Sequence, residues 1–291
     1  MKKYIYIGFV LVVLLIGSFV FDNARFNDGK LHLVFCNVGQ GDGIFIRTPK
    51  GKDILVDAGP DNSILNCLSK HMPFWDKTIE LAILTHPHSD HLNGFLGVFK
   101  NYKVLSFATE NLKNNTSGFT ALIESLKEQN IKIQYVYLGD RFIFNDGVDI
   151  NIVGPSKDFL NKTSPEGLIG EKHEFANVES LVRYKDFSAL LTGDSQASEL
   201  EEALRLAPLA QGKISILQVP HHGSKTGLDD EFLDQTTPKL AVISVGKKNK
   251  YGHPTQETLK MLRDKDITIL RTDENGEIEI VSDGDNFRVV K

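Results

Sequence analysis

Cysteine is nearly missing from this 291-residue chain, which holds only Cys36 and Cys67. Two such residues make no disulfide framework, and they lack the C-x-x-C spacing of a zinc knuckle or redox motif. They read as two unrelated small core residues. An excess of basic charge is lacking too: 33 Lys and Arg against 38 Asp and Glu give a formal net charge of −5. No global field draws in a polyanion, so nucleic-acid binding would have to come from a local patch. No short repeat is visible. After residue 30 no stretch divides the chain convincingly, and its length allows one substantial core.

Long apolar runs are also scarce, with one exception at the amino terminus. "MKKYIYIGFVLVVLLIGSFVF" places Lys2 and Lys3 before an uncharged stretch, residues 4–21. As a helix that stretch is about long enough to cross ~30 Å of hydrocarbon. It is long for the core of a signal peptide, and "GSFVFDNA" offers no small-x-small cleavage site. Lysines favour the cytoplasmic side, which predicts an uncleaved anchor with everything after Asp22 outside; a signal sequence removed after export is the alternative. The expected organisation is an anchor over residues 1–22, a polar linker over 23–30 and one domain over 31–291.

Beyond the linker, strand and helix patterns alternate. "LHLVFCNV", "GIFIRTP" and "DILVDAG" read as strands separated by the turns "GQGDG" and "KGK". "NSILNCLSKH" has helical spacing, "IELAILTH" is a buried strand, and "HLNGFLGVFKNY" opens a helix. The second half repeats the theme: a hairpin from "SLVRYKD" and "FSALLTGD", then the helix "SQASELEEALRLA", then the strand leading into "VPHHGS". Two β-rich halves, each followed by helices, predict an α/β fold of four layers, an αββα sandwich.

The ionisable residues fall at particular places in that pattern. Of nine histidines, three lie with an aspartate in "HPHSDH" directly after an apolar strand. Asp57 ends one strand, Asp194 another, and His221 and His222 follow a third. Side chains from several strand ends can converge on one crevice. His86 and His88 alternate by two and can point the same way on extended backbone. Asp90 and His91 come as the chain turns into a helix and can face a second point nearby. Imidazole with carboxylate suits zinc, with manganese as the alternative, and Asp194 could give one oxygen to each of two ions.

With these motifs the sequence resembles the metallo-β-lactamase fold hydrolases: "THPHSDH" fits their H-x-H-x-D-H signature, and "VDAG", "LTGD" and "VPHHGS" follow in order. It is similar in more detail to the soluble nuclease-like domain of ComEC-type competence proteins. "FCNVGQGDGIFIRTPKGKDILVDAGP", "NVESLV", "ISVGKKNKYGHP" and "LRTDENGEIEI" keep that branch's order across residues 31–280. The resemblance implies a di-metal centre. His86 and His88 would bind the first ion, and Asp90 and His91 the second. Asp194 would bridge them, His221 would complete the second site with His222 facing substrate, or His222 would be the ligand in its place, and Asp57 would orient a ligand histidine. His88 is aspartate in many domains of that branch. The usual third-motif histidine is not obvious, which leaves Asn177 or His173 as candidates there. Asn37 replaces the aspartate of the branch's "DVGQGD" segment and reads as structural.

The resemblance further implies a metal-dependent hydrolase of phosphodiesters such as DNA, near a DNA-uptake machinery. With a single anchor-like segment, the chain is not itself expected to conduct DNA. Asp90 would help orient the attacking water and His253 would donate to an oxygen of the substrate. Lys247, Lys248 and Lys250 could hold phosphate oxygens, and Ser224 and Lys225 lie beside the histidine pair. Hydrolysis of a smaller ester, lactone, β-lactam or phosphocholine group is a second reading, since one activated water can attack carbon or phosphorus. A DNA-binding accessory module with little catalysis is the third. His32 and His71 read as structural, and "GQGDG", followed by a strand, is a weak phosphate cradle.

Overall fold

The structure is a computed structural model and describes residues 2–170, 176–207 and 214–290. Its first element is the helix α1 (Lys2–Phe26). One sheet is built mainly from the first half: β1 (Leu31–Phe35), β2 (Gly43–Arg47), β3 (Asp53–Ala58), β5 (Leu81–Leu84), β7 (Phe107–Thr109) and β8 (Ile133–Tyr135). The short strands β4 (Thr78–Ile79) and β6 (Lys103–Val104) pair with each other beside it. The second sheet holds β9 (Arg141–Ile143), β10 (Val148–Gly154), β11 (Glu179–Tyr184), β12 (Phe187–Leu191), β13 (Ile216–Gln218), β14 (Leu240–Ile243) and β15 (Thr268–Arg271). The last strands, β16 (Ile278–Ser282) and β17 (Phe287–Val290), return to the first sheet, whose order is β17-β16-β1-β2-β3-β5-β7-β8.

The period-2 alternation of the strands explains the layering. In β1, Leu33 and Phe35 enter a core shared with Ile150, Val182, Ala189 and Ile216 of the opposite sheet. Val34, between them, turns to the other face. There it packs with residues of α2 (Ser63–His71), α3 (Phe95–Asn101) and α4 (Ser117–Glu128). The second sheet does the same against α5 (Ala197–Leu206), α6 (Asp230–Thr236) and α7 (Gln256–Asp264). Each fully buried aliphatic side chain contributes roughly 1.5–3 kcal/mol of burial energy. The result is the expected αββα arrangement.

Two expectations need correction. The helix α1 continues through Asn23–Phe26, residues expected as linker; the backbone carbonyl of Phe26 accepts a hydrogen bond from Arg47 Nε at 2.9 Å, which ties the helix end to the domain. Cys36 and Cys67 are not unrelated core residues. They form a disulfide, with Cα atoms 5.7 Å apart, joining the residue after β1 to α2. The pairing follows from α2 lying across the face of the first sheet, a contact that spacing in the sequence does not reveal.

For the site, the parallel pairings matter most. β3 lies parallel to β5, and β12 to β13, so in each sheet two strands deliver their carboxyl ends to the same edge. Gly94 lets the segment after β5 lie down there: a Cβ on it would stand 1.9 Å from the carbonyl oxygen of Ala58. Gly41, at φ +141°, makes the same allowance for the backbone of Asp90.

Candidate metal centre

His86 follows β5 by two residues, and the extended backbone of His88 (φ −89°, ψ 154°) keeps both imidazoles on one side. His86 Nε2 lies 2.9 Å from His88 Nδ1 and 3.8 Å from Asp194 Oδ2. The chain then enters the short helix Ser89–Leu92, which places Asp90 and His91 further along the crevice. His91 Nε2 is 3.4 Å from Asp194 Oδ1 and 4.0 Å from Asp90 Oδ2. Asp194 therefore presents Oδ2 to His86 and Oδ1 to His91.

His91 is held from behind by Asp57, whose Oδ2 is 2.8 Å from His91 Nδ1. Asp57 also accepts from the backbone N–H and the hydroxyl of Thr85, both at 2.8 Å. A proton fixed on Nδ1 leaves the Nε2 lone pair facing the carboxylates.

The two histidines of "HHGS" part, and the burial favours the alternative of the two. His221 and His222 both have left-handed backbone (φ 49° and 56°) in the turn Pro220–Gly223, and their rings diverge. His222, not His221, is the buried one. Its Nδ1 donates to the carbonyl of Ser244 at 2.9 Å, and its Nε2 lies 3.5 Å from both Asp90 Oδ2 and Asp194 Oδ1. His221 is about one-third exposed at the mouth, with Nε2 3.7 Å from Asp194 Oδ2.

Asn177 is committed elsewhere. Its Oδ1 accepts from the Asp194 backbone N–H at 3.2 Å and its Nδ2 donates to Glu199 Oε2 at 3.2 Å, so it shapes the Asp194 turn instead of facing the His86–His88 pair. His173 lies outside the described residues.

One member of the site was missed from the sequence. Asp42, in the "GQGDG" turn, is buried with oxygens 3.8 Å from His91 Nδ1 and 3.9 Å from His222 Nδ1. It groups closely with His91, His222 and Asp194. At those distances it hydrogen-bonds to neither ring, and its Oδ2 is itself buried without a partner. Burial pushes its carboxyl up to about 6, against the opposing pull of His222 and His91. The signal available was an aspartate between glycines directly after an apolar strand.

The donor set fits a divalent cation. Among the described residues, His91 Nε2, His222 Nε2 and Asp194 Oδ1 are buried with no hydrogen-bond partner. Three such lone-pair donors facing one another are costly unless something positive lies between them. Burial alone would lower the pKa of His222, but Asp194 and Asp90 overcome it and raise it to about 9. His86 is pushed well below its usual value by burial and by His91. Imidazole and carboxylate without thiolate is the mixture of zinc or manganese sites.

The expected substrate-side residues divide. The His253 ring stands 5.7 Å from that of His221 and stacks on Tyr251 at 6.0 Å; Lys250 covers Tyr251. The Gly246 N–H donates to Gln40 Oε1, two residues from Asp42, which pins the other end of the basic loop near the site. Lys247, Lys248 and Lys250 are exposed on that loop, and Lys225 is exposed beside the histidine turn. Ser224 is buried, with its hydroxyl 3.1 Å from that of Thr226, and belongs to the turn.

Residues 36–247 match the Metallo-beta-lactamase superfamily, and the chain belongs to it. The superfamily fold implies divalent metal binding and supports a metal-dependent hydrolase. Among relatives, ComE operon protein 3 of Bacillus subtilis is 28% identical over 87% of this chain and 33% of its own length. Recombination protein 2 of Haemophilus influenzae is 25% identical over 84% of this chain and 28% of its own. Competence protein ComA of Neisseria gonorrhoeae shares 39% identity over 22% of this chain and 9% of its own. The expected likeness to ComEC-type competence proteins holds, and the chain spans a third or less of the length of these relatives. Among solved structures, Igni18, a metallo hydrolase from Ignicoccus hospitalis, superposes with a TM-score of 0.55 at 12% identity, covering 85% of this chain and 98% of that one. That likeness bears on the fold alone.

Proposed function

We propose that the chain is an extracytoplasmic di-metal phosphodiesterase or nuclease acting on DNA. One observation carries the reading: Asp194 turns one oxygen to His86 and the other to His91 and His222, so two donor sets share one carboxylate. His86 and His88 would hold one ion; Asp90, His91 and His222 would hold the other. When bound, such a pair supplies a strongly activated water and stabilises the charge that builds on an ester in displacement. Asp57 and the Ser244 carbonyl fix the orientation of His91 and His222. Asp90 accepts a hydrogen bond from the attacking water, and His253, at the mouth, donates one to an oxygen of the substrate. The lysines of residues 247–250 give a local cationic rim on a chain of net negative charge, as polyanion binding requires.

Export is supported by the disulfide, since such bonds persist in oxidising compartments, and by Lys2 and Lys3 at the start of the apolar helix. Among the described residues, that helix is the one long and apolar enough to cross a membrane. The likeness to competence proteins favours DNA and a place beside an uptake machinery.

The test is turnover of single- and double-stranded DNA, RNA, bis-(p-nitrophenyl) phosphate and a chromogenic β-lactam by the metal-loaded protein, with His222→Ala and Asp194→Asn variants. The reading expects cleavage of DNA and the model diester, lost in both variants. DNA left intact while the β-lactam turns over would overturn it in favour of a small ester. A folded, metal-loaded protein that binds DNA and cleaves nothing would make it an accessory binding module.

A further inference from the structure

Two exposed aromatic residues stand outside everything described so far. Phe74 and Trp75, in the loop between α2 and β4, are 70% and 38% exposed. Singly such side chains are ordinary on a protein surface, but a contiguous apolar patch marks a contact. Trp75 does not stand alone: its ring centroid is 4.7 Å from that of Phe19 in α1, and Phe74 packs edge-on against it at 4.8 Å. Phe19 lies two residues from the outer end of the uncharged stretch, residues 4–21, that forms the proposed anchor. An indole in contact with a residue of that span is at the depth of the bilayer boundary, where tryptophan is favoured because its ring is apolar and its N–H is polar.

We infer that the Phe74–Trp75 loop is a second membrane contact, inserted at the lipid interface beside α1, which holds the domain with its metal crevice facing away from the bilayer. The occupant is lipid, because the aromatic tip is continuous with the membrane-spanning face of α1. The orientation follows from the strands. The carbonyl of Phe26 is bonded by Arg47, which also pairs with Asp53 at the start of β3 and lies 3.6 Å from Asp76 beside Trp75. The Glu80 N–H, just before β5, donates to the carbonyl of Asp53. The membrane attachment and the aromatic loop are therefore at the amino-terminal ends of β3 and β5. Asp57 and His86 are at the opposite ends, one strand length or roughly 15 Å further out. A strand of DNA would reach the site from the aqueous side without passing between domain and lipid.

This inference rests on the reading of α1 as a membrane anchor, and the experiment separates the two. Trp75 is the only tryptophan in the chain, so intrinsic fluorescence reports on it alone. The full chain is reconstituted into phosphatidylethanolamine–phosphatidylglycerol vesicles with and without lipids brominated near the headgroup end of the acyl chain. Bromolipid should quench Trp75 strongly, and acrylamide should quench it several-fold less than in detergent-free, urea-unfolded chain. Phe74→Asp should stay in the membrane but lose most of the bromolipid quenching, which mere tethering nearby would not predict. Alkaline carbonate extraction of the same vesicles tests the anchor. A chain that stays in the pellet with Trp75 unquenched by bromolipid and open to acrylamide overturns the aromatic contact alone, leaving the tip to a protein partner. A chain released by carbonate overturns the anchor and this inference with it.

Discussion

Replacing Asp57 by Asn isolates the contribution of a residue that stands behind a proposed metal ligand. Asp57 has φ +56°, a conformation that Asn tolerates as well as Asp, so the change adds no backbone strain. The carboxylate accepts three hydrogen bonds of 2.8 Å: Thr85 N–H on Oδ1, and the Thr85 hydroxyl and His91 Nδ1 on Oδ2. The carboxamide keeps a single oxygen. If that oxygen stays on the Thr85 N–H, the new NH₂ group faces His91 Nδ1, which can no longer donate. The imidazole proton then moves to Nε2, the atom 3.4 Å from Asp194 Oδ1, and removes its lone pair from the crevice. Loss of such an outer partner weakens metal affinity ~10–100-fold, equivalent to about 1.4–2.8 kcal/mol. The assay is competition for zinc against a fluorescent chelator, with thermal unfolding of the metal-free protein as a control for folding. A folded variant with the affinity of the parent would refute the reasoning, because His91 would then not depend on Asp57 for its tautomer.

Three further outcomes follow from the packing and electrostatics. Gly94→Ala drives a methyl group towards the Ala58 carbonyl, and overpacking of this kind costs about 1–3 kcal/mol; urea unfolding should show it, and an unchanged midpoint would contradict the close approach. Joint replacement of Cys36 and Cys67 by serine opens a loop of 31-residue separation, lowering stability by about 3–4 kcal/mol in the chain-entropy account; thermal unfolding with and without reductant measures it. His32 is pulled down by burial, but hydrogen bonds with Glu279 and Asp28 outweigh this and raise its pKa. A raised histidine stabilises fully below its ordinary ~6.5 and ceases to do so as pH climbs through the folded value. The melting temperature of the parent should therefore fall across that window, and His32→Asn should remove this part of the fall; an identical profile would contradict the pairing.

The sequence exposed the site where several ligand types crowd a short segment, and concealed it where geometry alone discriminates. "HPHSDH" was legible because so many polar side chains after a buried strand need a common partner. Its strand-end companions Asp57 and Asp194 were legible because alternation fixes where strands finish. His221 and His222 could not be ordered from their position, since either neighbour can turn inward; the left-handed turn and the Ser244 carbonyl decide it. Asp42 was hidden in a glycine-rich turn whose path back over Asp90 is a long-range contact. Asn177 stood at the right place in the chain, but its amide serves the Asp194 turn. The disulfide was invisible for a related reason: nothing local to Cys36 or Cys67 shows that α2 crosses the end of β1.

The account depends on two ions sharing Asp194, and counting ions tests that most directly. Chain loaded with zinc or manganese, desalted and analysed by plasma mass spectrometry should carry two ions per molecule, and Asp194→Asn should carry fewer while remaining folded. A parent that binds no metal, or a variant that retains both ions, would contradict the account.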